Sequence, residues 1–285
     1  MHSEGTPSPA APRTDGPRRS RSRSPGGLSA ALIAASLGMT GCGGDLYDSR
    51  LARTAELFEY RDQLDQALQG TWSRDEFGLR MRIPRGYVML PPPPPPVVLE
   101  DGTIEAAADD RHPGFLGIEL PGLVDAWRLP NVGSLYICSN HQRFVDQMQT
   151  GVNAADPNTL LTDVELALQQ GLRFTLDAAP AGSPSDVNAR FVEKIPAVAR
   201  FEIPKDFLAI TISGEEIENL DPLAAQVYEY TNGPVQVAIV CIYLKSARVN
   251  PDRALRLALE TLKVDGQPPR ASAAGGARGG GGTNF

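Results

Sequence analysis

QVYEYTNGPVQVAIVCIYL, residues 226–244, is the stretch that decides the fold. Two runs rich in β-branched and aromatic residues, 226–230 and 235–244, flank the tetrapeptide Thr231-Asn232-Gly233-Pro234. An Asn-Gly pair between such runs is a strong hairpin signal, because both residues tolerate the positive φ of tight hairpin turns. The sequence therefore predicts an antiparallel hairpin here, and with it a mainly antiparallel sheet.

Helical and extended patterns occupy the chain on both sides of this hairpin. Apolar residues recur every three or four positions, as in amphipathic helices, in segments 48–69, 158–170 and 251–262. Strand patterns cover residues 77–90, 115–120 and 134–138. Together these segments predict an α+β fold in which a mainly antiparallel sheet is flanked by about three helices.

Capping residues set the expected ends of the three helices. Asp48 or Ser49 can cap the first helix, and Asn250 can cap the third, with Pro251 suited to its first position. Gly70 and Gly171 follow the first and second helices, where a left-handed residue commonly ends a helix. We therefore expect the first helix to end at Gly70 and the second at Gly171.

Two octapeptides suggest that the folded part consists of two similar halves. Residues 80–87, RMRIPRGY, and 200–207, RFEIPKDF, share Arg, Ile-Pro, a basic residue and an aromatic residue at equal spacing. Each is followed by a cysteine-bearing apolar strand and a helix. The second half resembles the Mog1/PsbP-like fold, through its Ile-Pro-x-x-Phe strand, hairpin and terminal helix. That resemblance implies a small α/β/α sandwich that acts by binding.

The N-terminal region has the features of an export signal. Residues 28–42, LSAALIAASLGMTGC, are too short for a membrane-spanning helix but match the length of a signal-peptide apolar region. Five arginines precede them, the last of which is Arg23. Met39-Thr40-Gly41-Cys42 resembles the lipobox of bacterial lipoproteins, although Met39 stands where Leu, Val or Ile is usual. The resemblance implies cleavage after Gly41 and acylation of Cys42; an ordinary cleaved signal and no export are the alternatives.

The resemblance also implies a location. A lipid on Cys42 would hold the protein at the membrane of a bacterial cell envelope, facing the periplasm. Gly43 and Gly44 follow the cysteine, so the aspartate that often retains lipoproteins at the inner membrane is absent there, which leaves the outer membrane open.

Composition argues against nucleic acid as a partner. The formal net charge is −7 for 285 residues, and removal of the basic segment 1–41 would make it about −10. An acidic surface repels the phosphate backbone of nucleic acids. The Arg-Ser run before the apolar region and the Gly-rich tail are therefore interpreted as part of a signal and as an unpacked terminus.

Two cysteines remain if Cys42 carries lipid. Cys138 and Cys241 both lie in apolar, strand-like runs. In an export compartment a pair of cysteines can oxidise, whereas free cysteines are among the most buried residues. A disulfide between Cys138 and Cys241 and two reduced core thiols are both open from the sequence.

Few residues have the spacing of a catalytic or metal site. Cys138 and His141 are the only local nucleophile and base, but residues three apart on a strand face opposite ways, so a turn at Ser139-Asn140 would be required. Asp109, Asp110 and His112 could touch a metal ion, but short acidic loops are more often only solvated. The sequence thus assigns no catalytic, cofactor-binding or metal-ligating residue and no cofactor.

These inferences combine into one domain plan and two functional hypotheses. We expect a signal peptide (1–41), an anchor and amphipathic helix (42–70), a first α+β half (71–180) with a proline-rich loop (91–96), a second half (181–264) and a disordered tail (265–285). The first hypothesis is a lipid-anchored, non-enzymatic binding or assembly module for an unknown envelope protein or polymer. The alternative is an envelope hydrolase with a dispersed carboxylate and histidine site.

Overall fold

The described part of the chain contains four α-helices and twelve strands. The computed structural model describes residues 41–105, 107–150, 154–176, 182–184, 186–215, 221–247 and 251–268. The helices are α1 (Gly41–Ala67), α2 (His141–Thr150), α3 (Leu160–Leu172) and α4 (Asp252–Glu260). The strands are β1 (Leu68–Arg74), β2 (Leu79–Pro84), β3 (Val88–Met89), β4 (Val97–Val98), β5 (Ile104–Glu105), β6 (Leu123–Leu129), β7 (Gly133–Ser139), β8 (Arg190–Ile195), β9 (Lys205–Ser213), β10 (Leu223–Asn232), β11 (Val235–Leu244) and β12 (Lys263–Val264).

Seven of these strands form one open antiparallel sheet, in the order β3-β6-β7-β11-β10-β9-β8. Strands β1, β2 and β12 form a second sheet, with β2 in the middle, and β4 pairs with β5. The predicted α+β fold with a mainly antiparallel sheet is confirmed. Strands from both predicted halves, 71–180 and 181–264, contribute to the seven-stranded sheet; duplication of the halves stays a prediction.

The predicted hairpin is confirmed and lies at the middle of the large sheet. Strands β10 and β11 pair without interruption from Leu223 opposite Leu244 to Asn232 opposite Val235. Gly233 has a φ of 58° in the connecting turn, a conformation that glycine adopts without steric cost. On its other side β11 pairs with β7, so the hairpin joins the two flanks of the sheet.

Both faces of the large sheet are buried, each in its own hydrophobic core. Along β11, Val237, Ile239 and Cys241 face one core, and the alternate residues 238, 240 and 242 face the other. The first core is completed by the small sheet, by α4 and by the C-terminal part of α1. The second is completed by α3. Burial on both faces explains why β11 is an almost continuous apolar run rather than an alternating one.

The chain divides into two compact units, residues 1–55 and 56–285. In the first, the described residues 41–55 belong to α1, and the side chains of residues 44–55 are exposed. The second contains the rest of α1 and all of the strands. No helix in the described ranges is long and apolar enough to cross a membrane. The predicted signal peptide lies outside the described residues, apart from Gly41, the first residue of α1.

Two predicted helix ends are wrong. Helix α1 ends at Ala67, and a register shift between Leu68 and Thr71 places Gly70 in a bulge of β1. Helix α3 continues through Gly171 to Leu172, and Arg173 adopts the left-handed conformation that ends it. Gly70 therefore belongs to a strand bulge, and Gly171 allows close packing against Ile118; neither residue terminates a helix. Helix α4 is confirmed, although its expected cap, Asn250, lies outside the described residues.

The predicted strand at 115–120 is also wrong. Residues Gly114–Leu116 form a 3-10 turn, which Gly117 closes in the left-handed conformation by donating its N–H to the Gly114 carbonyl. The strand of this region is β6, whose central Asp125 obscured the pattern. Helix α2 and strand β8 were likewise not predicted.

The two similar octapeptides adopt different structures. Residues 80–84 lie in β2, with Met81 and Ile83 buried, so the predicted alternation there is confirmed. Residues 200–204 form no helix or strand and precede β9, which begins at Lys205. The prolines at 91–96 also form no helix or strand and connect β3 with β4. A shared Ile-Pro motif therefore does not produce the same local fold in the two halves.

Candidate functional site

Two clefts meet at the segment that precedes β6. The first has a volume of about 560 Å³ and is lined by Phe77, His112, Glu119, Ser139 and Gln142, among others. The second has a volume of about 700 Å³ and includes Asp109, Asp110, His112 and Glu119 in its lining. His112 and Glu119 belong to both, so the two clefts form one candidate site around His112, hereafter the His112 clefts.

His112 is held by its own loop. Its Nδ1 accepts a hydrogen bond from the Leu120 backbone N–H at 3.0 Å. Because Nδ1 is an acceptor, the neutral ring carries its proton on Nε2, which lies 3.9 Å from the nearer carboxylate oxygen of Asp109. The ring orientation is therefore fixed by the backbone hydrogen bond to Nδ1, and Nε2 faces Asp109 without a direct hydrogen bond.

Asp109 forms a bidentate ion pair with Arg111. The Arg111 guanidinium donates to both carboxylate oxygens of Asp109, with Nε–Oδ1 at 2.9 Å and Nη2–Oδ2 at 2.7 Å. Hydrogen bonding from Arg111 holds the pKa of Asp109 below its usual range. Arg111 also donates from Nη1 to the carbonyl of Val124 at 2.9 Å, which ties the loop to β6. The carboxylate that the sequence offered as a metal ligand is thus neutralised by a neighbouring cation.

Asp125 anchors this network beneath the clefts. Its side chain is fully buried and accepts hydrogen bonds from Arg74 at 2.5 and 2.8 Å and from the indole N–H of Trp72 at 2.9 Å. The Arg111 Nη1 lies 3.5 Å from Asp125 Oδ1. A buried carboxylate requires such neutralisation, because desolvation of an unpaired charge is costly. The sequence showed only an acid within an apolar run, so its role was not predicted.

Cys138 and His141 do not form a catalytic pair. Cys138 lies in the core on the α3 face, where burial raises the pKa of its thiol to about 12. His141 begins α2, and its ring contacts the edge of Phe77 with 4.8 Å between the ring centroids. No hydrogen bond joins the two side chains in the described ranges. A thiol so far from ionisation is a poor nucleophile.

His141 is buried next to the first cleft. Its side chain has no hydrogen-bond partner at Nδ1 in the described part of the chain, and burial lowers the pKa of the ring. Its neighbours Ser139 and Gln142 line the cleft. His141 is therefore mainly neutral near pH 7.

Cys138 and Cys241 are both free thiols in this fold. They lie in the neighbouring strands β7 and β11, but Cys138 faces the α3 core and Cys241 faces the opposite core. Side chains on opposite faces of one sheet cannot be bridged without rearranging the backbone. The disulfide left open by the sequence is therefore absent, and the alternative of two reduced core thiols holds in this structure. Cys42 lies in the first turn of α1, and its side chain is outside what the structure describes.

Metal ligation has no support in the described ranges. Within them, no group of three or more His, Cys, Asp or Glu side chains is placed to hold a metal ion. Asp109 pairs with Arg111, and the Nδ1 of His112 already accepts a backbone hydrogen bond. What the clefts offer instead is a wall that combines the Asp109–Arg111 ion pair with further charged groups, backbone and apolar side chains.

A second buried acid lies away from these clefts. Glu229 on β10 is 4% exposed, and its Oε1 has no hydrogen-bond partner in the described ranges. Burial, followed by the nearby charge of Glu165, raises the pKa of Glu229 to about 8. Glu165 forms an ion pair with Arg190, so the negative charge of Glu165 is neutralised next to the protonated Glu229. Alternation in QVYEYT predicted a strand but gave no sign that Glu229 faces a core.

Comparison with known proteins assigns this chain to no family. No protein-family model matches the chain, and no curated protein matches it. Nine chains of solved structures match, among them a crystal structure from Bacteroides thetaiotaomicron VPI-5482. The identity is 9%, the TM-score is 0.31, and the match covers 68% of this chain and 48% of that one. The chain thus spans about half of that protein's length, and a similarity at this level carries no argument.

Proposed function

We propose that this chain is a lipid-anchored binding or assembly protein of a bacterial cell envelope, with the His112 clefts as its ligand surface. The observation that carries the binding role is that Asp109, Arg111 and His112, which line the clefts, are engaged with one another or with backbone. Asp109 is neutralised by Arg111, and His112 is fixed by Leu120. Such a surface recognises a ligand by shape and fixed dipoles and has no activated nucleophile.

The anchor is proposed from the N-terminal sequence. The arginines, the apolar segment 28–42 and Cys42 resemble a lipoprotein signal, and acylation would place the protein at the periplasmic side of a membrane. Stable attachment requires more than one acyl chain or an additional signal, because a single short chain gives only reversible binding. An envelope protein or polymer is the proposed partner, and the net charge of −7 argues against nucleic acid.

Detergent phase partitioning with intact-mass measurement tests the anchor. The wild-type chain and Cys42→Ser are produced in a bacterium that processes lipoproteins. We expect the wild type to enter the detergent phase with acyl mass and a new N-terminus at Cys42, and Cys42→Ser to remain aqueous and unacylated. Met39→Leu is the matched control, because it keeps the cysteine and brings the lipobox closer to the usual pattern. An aqueous, uncleaved wild type would refute the anchor.

A hydrolase remains the alternative because of one observation. The Nδ1 of the buried His141 lacks a hydrogen-bond partner in the described ranges, and its neighbour Ser139 lines the first cleft. A general base would need such a free nitrogen within reach of a substrate proton. Hydrolysis of a p-nitrophenyl ester that is lost in His141→Gln but kept in His112→Gln would favour the enzyme; equal rates in all three proteins and in buffer would favour the binding role.

A further inference from the structure

The small sheet carries two cross-strand rows of hydrogen-bond donors. One row lies on the face of the small sheet that points away from the buried Met81. It consists of Ser73 on β1, Arg80 on β2 and Lys263 on β12. In the next row Thr71 lies opposite Arg82, and the Arg82 backbone N–H donates to Thr261 Oγ1 at 2.9 Å. Directly opposed residues in an antiparallel sheet share a face. Three cations and three hydroxyls therefore lie on one surface.

These rows line a cleft of about 520 Å³, hereafter the small-sheet cleft. Arg82 is fixed in its wall, with Nη1 2.8 Å from Asp65 and Nε donating to the Gln69 carbonyl at 3.1 Å. The side chains of Thr71 and Ser73 make no hydrogen bond within the described residues, so both hydroxyls are free to donate to a ligand. The cleft thus has one fixed cation, Arg82, and one unused hydroxyl donor in each row, Thr71 and Ser73.

Arg80 and Lys263 lie directly opposite each other without sufficient counter-charge. Like charges in this position repel. Arg80 reaches Asp75 only at 3.8 Å, with both side chains largely exposed, and Lys263 has no ion pair in the described part of the chain. Such an exposed pair contributes little in water. The chain as a whole is acidic, with a net charge of −7, but this cleft carries two cations that a bound anion would neutralise.

We propose that the small-sheet cleft binds a phosphate group. Arg80 supplies a planar pair of donors that matches two phosphate oxygens, Lys263 supplies a second positive charge, and Ser73 and Thr71 donate hydrogen bonds to the remaining oxygens. The group is carried by a free phosphate-bearing molecule or by a lipid headgroup. This site requires neither acylation of Cys42 nor the His112 clefts, so it stands or falls separately from the proposed function.

Replacing Glu202 should change phosphate affinity in the direction opposite to replacing a cation. It also lines the small-sheet cleft, and a carboxylate there repels an anion. The ligand is therefore expected on the Arg80 and Lys263 side, and Glu202→Gln should tighten phosphate binding, whereas removal of either cation should weaken it. A surface that bound phosphate through unspecific attraction would not depend on these particular positions.

Calorimetric titration of the full chain with inorganic phosphate tests the site. Lys263→Gln and Arg80→Gln are each expected to raise the Kd about tenfold, as for the loss of one charge-assisted hydrogen bond. Lys194→Gln is the matched control, because Lys194 is an exposed strand lysine on β8 in the large sheet. Its Kd should equal that of the wild type. Equal weakening in Lys194→Gln and Lys263→Gln would overturn the proposal.

Vesicle sedimentation distinguishes the two sources of phosphate. The full chain carrying Cys42→Ser is mixed with phosphatidylglycerol or with phosphatidylcholine vesicles, so that an acyl anchor cannot contribute. Binding to phosphatidylglycerol that Lys263→Gln abolishes supports a lipid headgroup, and binding to inorganic phosphate alone supports a free ligand. Absence of binding to both probes overturns the site.

Discussion

Asp125 lies in the first half of strand β6 with no exposed surface. Arg74 and Arg111 neutralise its charge, and the Trp72 N–H donates a hydrogen bond to it, so the loop of the His112 clefts is joined to β1. The sequence could not show this, because Arg74 lies 51 positions upstream and nothing in LVDAWRL marks the acid as buried. Single-residue chemistry was predictable where it is local, as at Gly233, and not where it depends on a distant partner.

Asp125→Ala should be strongly destabilising. The substitution leaves Arg74 and the Trp72 N–H without their acceptor in a water-poor site, and the loss of one partner of such a pair costs about 3–5 kcal/mol. Urea unfolding followed by circular dichroism measures the change. Asp75→Ala, at an exposed acid 3.8 Å from Arg80, is the control and should leave the midpoint unchanged. Equal midpoints for the two variants would contradict the structural role of Asp125.

Glu229 should make stability fall as the pH rises. Its pKa is raised to about 8 from an ordinary 4.5, mainly by burial. The folded chain therefore holds a proton that the unfolded chain releases, so the protonated acid stabilises the fold below about pH 4.5. That contribution is lost between pH 4.5 and 8.

Glu229→Gln removes this loss, because the amide cannot ionise. We expect the variant to gain on the order of 2–4 kcal/mol over the wild type above pH 8, and nothing at pH 4. Urea unfolding at pH 4, 6 and 8.5 measures the difference. Glu215→Gln, at an exposed acid, should follow the wild type at every pH. A gain that does not depend on pH would exclude ionisation of Glu229 as its cause.

Helices and strands show the same division between local and distant causes. The hairpin β10–β11, helix α4 and the alternation in β2 were predictable, because short-range spacing determines them. The ends of α1 and α3 were not. Gly70 serves a bulge that exists only because β1 pairs with β2, and Gly171 serves a contact with a loop about 50 residues upstream.

Gly171→Ala tests that contact. In an exposed helix the change would stabilise by about 1 kcal/mol. Here the added methyl group would lie 2.8 Å from Ile118 Cδ1 and 3.2 Å from Leu116 Cβ, so overpacking should destabilise by about 1–3 kcal/mol. Thermal unfolding gives the sign. Gly70→Ala has open space around the added group and should be neutral or slightly stabilising. A higher melting temperature for Gly171→Ala would show that the loop with Leu116 and Ile118 moves to accommodate the added methyl group.

At the scale of the whole molecule, one sheet separates two cores. The fold class followed from the apolar runs, which are nearly continuous because both faces are covered. The order of the strands did not follow, since the pairing of β7 with β11 depends on contacts about 100 residues apart. The same is true of the His112 clefts, whose walls come from the turn after β1, from β6 and the loop before it, and from the junction of β7 with α2.

The two cores predict the reactivity of the thiols. In the Cys42→Ser chain, neither Cys138 nor Cys241 should react with Ellman's reagent under native conditions, because burial raises both thiol pKa values. Two thiols should react in denaturant without reductant. Zero thiols under denaturing conditions would mean that the two residues are bonded.

The central position of β11 has a consequence for the order of events during synthesis. Strand β7 leaves the ribosome about 100 residues before β11, the strand that joins it to the rest of the sheet, and strands β6 and β3 leave earlier still. Until β11 follows, β7 has an open edge and neither core can close. Both cores can therefore close only after β11 has been made, late in synthesis.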